Sequence, residues 1–164
     1  MKDVLRKSVL ALAAGSMAAA APAVAQFRNK IGNDLDKCRD GAGPAVKVQI
    51  SGITPAQGLL RVQLYPGTAA DWLKTGHWLN RIEVPARGGA ATICMPVPAP
   101  GTYAIAVRHD VNGNGKTDIR TDGGGMSNNP AISILNLGKP SYDKTAFAVG
   151  NSVKTISIRM RYFF

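Results

Sequence analysis

From residue 44 onward, apolar side chains recur at every second position. Val46, Val48 and Ile50 alternate with Lys47 and Gln49, and Leu60, Val62 and Leu64 alternate with Arg61 and Gln63. A strand half buried on one face has this period, because successive side chains point to opposite sides of the sheet. Between the two runs lies Thr54-Pro55-Ala56-Gln57-Gly58, a turn-forming stretch whose brevity predicts a hairpin. Five more alternating runs follow: Ile82 and Val84; Ala91, Ile93 and Met95; Tyr103, Ile105 and Val107; Phe147 and Val149; and Ile156, Ile158, Met160 and Tyr162. Only residues 68 to 73 suggest a helix, with Thr68 as N-cap, Asp71 in the reciprocal capping position and Gly76 beyond the end. Seven short strands separated by Gly and Pro, with no long helix, predict an all-β fold, an antiparallel β-sandwich. One connection, residues 110 to 144, is far longer than a hairpin loop, and connections of that length are usually functional or disordered.

The first 25 residues follow a different rule. Lys2, Arg6 and Lys7 precede an uncharged stretch from Ser8 to Ala21, and Ala23-Val24-Ala25 offers the small-x-small site of a signal peptidase. The expected organisation is a signal peptide (1–25), a polar N-terminal segment (26–44) and a β-sandwich domain (45–164). Cleavage before Gln26 leaves no Cys at the new terminus, so no lipid anchor is expected. No later run reaches the roughly 20 apolar residues of a membrane span, so the mature chain is expected to lack a transmembrane segment. The predicted location is periplasmic or secreted. In such a compartment the two cysteines, Cys38 and Cys94, are expected to pair, tying the N-terminal segment to the domain. In the chain-entropy model a loop of that length stabilises the fold by roughly 4 kcal/mol.

Charge changes the picture of partners. The chain of 164 residues has 20 Lys and Arg against 10 Asp and Glu, and a net +8 remains once Lys2, Asp3, Arg6 and Lys7 are removed. These cations are scattered along strands rather than gathered in a run. An exported basic protein of this kind is expected to meet an envelope protein or an anionic polymer, not nucleic acid, and to be a monomer.

The long connection opens with Asp110-Val111-Asn112-Gly113-Asn114-Gly115-Lys116-Thr117-Asp118. Oxygen side chains fall at positions 1, 3, 5 and 9 with Gly at position 6, the spacing of a calcium loop. Alternate residues of a tight loop turn their oxygens inward, Gly115 permits the sharp bend, and the Lys116 carbonyl can serve at position 7. Position 12 is Thr121 rather than Glu, with Asp122 next to it as the closing carboxylate. The metal set is therefore Asp110, Asn112, Asn114, Lys116, Asp118 and Asp122, with calcium as the cofactor. Arg108, Lys116 and Arg120 weaken the field on the ion. The competing reading is plain turn chemistry, since Asn-Gly pairs form turns and Asx side chains bond their own backbone.

Other constellations carry less. His109, Asp110 and Ser127 have the residue types of a hydrolytic triad, which makes a hydrolase or lyase using His109 and Asp110 an alternative. Neighbours on a strand point to opposite faces, however, and no nucleophile elbow is present. His77 and His109 lack a third ligand at metal spacing. Trp72 and Trp78 fit either a sugar-stacking platform or packing. A binder of acidic envelope polysaccharide is a further alternative, with affinity that falls steeply with salt. No catalytic residue is assigned, and the protein is expected not to be an enzyme.

Three stretches together resemble family 2141 of the bacterial domains of unknown function: Gly58 to Tyr65 (GLLRVQLY), Pro100 to Asp118 (PGTYAIAVRHDVNGNGKTD), and Ser127-Asn128-Asn129 with Phe147-Ala148-Val149-Gly150. The similarity covers roughly residues 45 to 162. It implies an exported β-sandwich akin to immunoglobulin-like or transthyretin-like modules, with no established activity, and a cysteine pair typical of one branch. Relatives carry a longer Gly-, Pro- and aromatic-rich stretch ending in Gly-Phe-Ser-Asn; here Met126 stands at the aromatic position.

Overall fold

The computed structural model describes residues 26–131 and 138–162. The expected signal peptide lies outside the described residues. Among the described residues ten strands make two sheets: β1 (Asn29–Lys30), β2 (Ala45–Ile53), β3 (Leu59–Pro66), β4 (Asn80–Pro85), β5 (Gly89–Pro96), β6 (Gly101–Asp110), β7 (Gly123–Met126), β8 (Phe147–Val149), β9 (Val153–Arg159) and β10 (Arg161–Tyr162). A 3₁₀ turn at Leu35–Cys38 and one helical turn, α1 (Tyr142–Thr145), complete the described elements. The large sheet runs β1-β4-β3-β6-β7-β10, with β8 on the free stretch of β6; the small sheet runs β5-β2-β9.

The alternation places the core. Val46, Val48 and Ile50 of β2, Ile93 and Met95 of β5 and Ile158 of β9 face Leu60, Val62, Leu64, Ile82 and Ile105 from the large sheet, and all belong to one buried cluster. Each such side chain stabilises the sandwich by about 1.5–3 kcal/mol on leaving water. The polar alternates, among them Arg61, Gln63, Arg81 and Arg108, are thereby committed to the outer face of the large sheet.

The all-β, two-sheet expectation holds, and several details differ. Both sheets are mixed: β2 pairs with β9 in parallel, as β1 does with β4. The first two runs are not a hairpin, because β2 bonds β5 and β9 whereas β3 bonds β4 and β6, so their connection steps between sheets. Residues 68–73 form turns rather than a helix. Thr68 caps as expected, its hydroxyl accepting from Asp71 N–H at 3.2 Å and bonding the Asp71 carboxylate at 2.5 Å. Leu73 then turns to φ 54° and ends the coil.

The final alternating run also divides. Its first part, β9, follows β2 in the small sheet, and after Met160 the chain crosses to the large sheet, where Arg161 and Tyr162 pair with Gly124 and Gly123. The crossing requires the glycines of β7. A Cβ on Gly123 would collide with the Tyr162 ring, and one on Gly125 would lie 2.7 Å from Cγ2 of Ile158.

The disulfide Cys38–Cys94 is present, with a Cα separation of 5.7 Å. It fastens the 3₁₀ turn to β5, where Asn33 also accepts from Cys94 N–H and donates to the Thr92 carbonyl. The same N-terminal segment contributes β1 to the edge of the large sheet, so it straps one side of the sandwich. Among the described residues no helix is long and apolar enough to cross a membrane.

Candidate functional site

The 110–122 loop leaves the end of β6 where the turn before β3 presses on it. Gly58, at φ 76°, sits so close that a Cβ there would overlap the carbonyl oxygen of Asp110. That approach pins the first residue of the loop and leaves Asp110 2% exposed. Its Oδ2 accepts from Gly115 N–H at 2.8 Å and from Arg108 Nη2 at 3.3 Å. Its Oδ1 is buried and has no hydrogen-bond partner.

The other predicted ligands converge on the same loop. Asn112 Oδ1 accepts from Asn114 N–H at 3.1 Å, and Asn114 Oδ1 accepts from Lys116 N–H at 2.7 Å. The amide groups of Asn112 and Asn114 both donate to Asp118 Oδ2, at 3.0 and 2.7 Å. Those two bonds favour the ionised carboxylate and hold the Asp118 pKa below its ordinary value, with Lys116 and Arg108 adding to the effect. Asp122, 5% exposed, accepts from Val111 N–H and Asp118 N–H and so closes the loop from its far end. Gly113 and Gly115, at φ 70° and 78°, allow the consecutive Asx turns.

All six predicted positions therefore lie on one closed loop, five through side chains and Lys116 through its backbone. Much of the loop's oxygen is occupied by internal donors, as turn chemistry requires. Among the described residues no three His, Cys, Asp or Glu side chains gather as a metal cluster. Arg108 reaches over the loop, donating to the Gly115 carbonyl at 2.9 Å and to Thr117 Oγ1 at 2.9 Å as well as to Asp110.

The structure does not assemble His109, Asp110 and Ser127 into a triad. His109 is fully buried, and its nitrogens engage Tyr162 Oη at 2.7 Å and the Gln57 carbonyl at 2.7 Å. The carbonyl can only accept, so Nε2 carries the proton and Nδ1 accepts from the tyrosine hydroxyl. Tyr162 Oη in turn accepts from Thr54 N–H. Ser127 Oγ is buried between the Ile105 backbone and the Thr145 carbonyl. His77 is far along the chain on an exposed turn, bonded to Asp71.

Trp72 and Trp78 are 7% and 6% exposed and pack with Tyr65, Ala104 and Met126 on the outer face of the large sheet. They form a second, smaller core there, and Trp72 Nε1 donates to the Pro140 carbonyl. Met126, the departure from the aromatic pattern, is part of that cluster. Arg81 stacks over Trp78 at 4.1 Å from the ring centroid. Arg61, Glu83 and Arg81 continue the face toward the loop, with Arg61 Nε bonded to Glu83 at 2.5 Å. Sequence reasoning reached the loop acids and Arg108, but not Gln57, Thr54 or Tyr162 as partners of His109, nor the grouping of Arg61, Arg81 and Arg108. Each of those depends on strand register.

No curated protein and no solved structure matches the chain. The chain belongs to the family described as "Uncharacterized protein conserved in bacteria (DUF2141)", whose model matches residues 48–157, from β2 through the 110–122 loop to β9.

Proposed function

We propose that the protein is an exported, non-enzymatic β-sandwich module whose 110–122 loop binds calcium and which contacts an anionic partner in the cell envelope. The observation that carries the ion is Asp110: a buried carboxylate with one oxygen held by Gly115 N–H and the other without a donor. An unpartnered buried anionic oxygen is costly, and a hard cation is a partner that suits it. Asn112, Asn114, Asp118, Asp122 and the Lys116 carbonyl lie on the same turn to complete an oxygen set. Arg108, 3.3 Å from the Asp110 carboxylate, offsets part of the field and makes the site weak, with a dissociation constant on the order of a millimolar or below. Export is supported by the Cys38–Cys94 disulfide, which suits an oxidising compartment. The non-enzymatic reading is supported by His109, whose two nitrogens are both committed to structural bonds.

Thermal unfolding in EDTA, across a calcium titration and with magnesium as control, tests the ion. A ligand bound only by the native state raises stability as its concentration passes the dissociation constant. The expected result is a calcium-specific rise of about 2–6 °C at about ten millimolar, absent in Asp110→Asn. No shift in the unsubstituted protein would leave the loop as Asx turns and end the calcium reading.

A further inference from the structure

The outer face of the large sheet holds a row of cations, of which Arg108 also reaches the 110–122 loop. Strand register places them in order. Lys30 of β1 stands beside Arg81 of β4, which stands beside Gln63 of β3. Two residues back along β3, Arg61 lies between Glu83 of β4 and Arg108 of β6. Arg108 is opposite Gly124 of β7, and Gly124 is opposite Arg161 of β10. Alternation puts all five cations on the side away from the core.

Their charge is poorly matched within the protein. Arg61 and Arg81 share the one carboxylate of Glu83, at 2.5 and 3.9 Å. Asp110 beneath Arg108 is already buried in the loop. Burial first, and then repulsion from Arg61, holds both Arg81 and Arg108 below the ordinary arginine pKa. Arg61, Arg81 and Arg108 keep 21%, 17% and 18% of their side-chain surface in water, and Lys30 and Arg161 are exposed. Ala106 and Gly124 give the face a low floor, with open space above Gly124.

We propose that this track, Lys30–Arg81–Arg61–Arg108–Arg161, binds an acidic polysaccharide through its carboxylates. The inference names the partner that the proposed function left open; it rests on the reading of the chain as exported and is independent of calcium. The track crosses six strands, roughly 24 Å from end to end at sheet spacing, which fits an extended polymer better than a compact anion. Arginine forks recognise carboxylates in bidentate fashion, and spaced forks suit spaced single charges. Single-stranded nucleic acid would call for exposed rings to stack on, and Tyr65, Trp72 and Trp78 are buried. An anionic membrane would call for large apolar side chains among the cations, whereas Gln63, Ala106 and Gly124 lie between them and exposed Leu59 stands beyond Arg61 at the start of β3.

Binding to polygalacturonate, measured in EDTA at about 50 and about 300 mM salt, tests this. The unsubstituted protein is expected to bind, with affinity falling as salt rises. Arg61→Gln with Arg81→Gln is expected to weaken binding about tenfold or more, while Lys47→Gln with Lys154→Gln on the small sheet, an equal loss of charge, weakens it about threefold or less. If the arginine pair does not fold, Lys30→Gln with Arg161→Gln, both exposed, carries the comparison with an expected loss of about fivefold. Absence of binding at low salt would overturn the proposal. So would an equal loss in both pairs, or binding to phosphatidylglycerol vesicles or single-stranded DNA as tight as to polygalacturonate. Because calcium is absent throughout, failure here leaves the ion reading standing, and failure of the calcium titration leaves this one standing.

Discussion

His109 and Asp110 are adjacent, both buried, and opposite in what they do with burial. His109 points to the core side, where Tyr162, Gln57 and Thr54 satisfy every polar atom in the chain of bonds. Asp110 points to the outer side, where Gly115 and Arg108 satisfy one oxygen and leave the other without a donor. A fully satisfied polar network rigidifies a structure, whereas a buried polar atom left without a partner carries a cost. The alternation between two consecutive residues thus separates the part of the molecule that holds three segments together from the part proposed above to bind an ion. Gln57 comes from the turn before β3 and Tyr162 from β10, so the histidine acts as a buried tie between that turn and the C-terminal strand.

The largest expected effect removes the feature both sides share. Gly58→Ala puts a methyl group onto the Asp110 carbonyl at a positive φ, so the turn or the end of β6 must move. A loss of about 3–5 kcal/mol is expected, read by denaturant unfolding, together with loss of any calcium response. A mild effect would mean that the turn and the loop are not mechanically joined. Next comes His109→Phe, which leaves the Gln57 carbonyl without its donor and the Tyr162 hydroxyl without its acceptor. It should cost about 2–4 kcal/mol while keeping the calcium-dependent shift in unfolding temperature. If that shift disappears instead, the two sides are coupled and the contrast between them fails.

Asp110→Asn reverses that pattern. The amide oxygen can still accept from Gly115 N–H, so stability in EDTA should change by about 1 kcal/mol or less. The calcium increment, by contrast, should vanish, as seen in the difference between EDTA and calcium unfolding curves. A large loss in EDTA would show that the carboxylate is needed for Arg108 rather than for an ion.

The two sides were unequally legible in the sequence. Alternation at Val46 to Ile50, Leu60 to Leu64 and Tyr103 to Val107 marks core strands because a single buried face enforces period two. It does not say which sheet a strand joins, which is why β2 and β3 look like a hairpin and are not. Strand β7 has no alternation to read: Gly123 and Gly125 are set by what crosses above them, the Tyr162 ring and Ile158. The run ending in Tyr162 looks like one strand since its period is unbroken, although its pairing changes sheet at Met160. The 110–122 loop is legible because its spacing is local. The histidine tie and the arginine track are not, because Gln57, Tyr162, Arg61 and Arg108 meet only through register, and register is a property of pairs of strands.

The smallest expected effect sharpens the outer side alone. Asp118 is exposed, yet the amides of Asn112 and Asn114 stabilise its charged form and lower its pKa in the folded loop. A carboxyl whose folded pKa lies below its unfolded value adds stability above the unfolded value, ordinarily 3.8, and that stability is lost as pH falls through the lower folded value. In EDTA, the unsubstituted protein should therefore unfold at a slightly higher temperature than Asp118→Asn at neutral pH. The two curves should draw together once the pH passes below the carboxylate range. His109→Phe should leave this difference unchanged, since the histidine network lies on the other face of β6. A gap between the two proteins that stayed constant into strong acid would show that the substitution had altered the packing of the turn rather than its charge. The order of the loop would then come from its backbone bonds, with the Asp118 carboxylate contributing little.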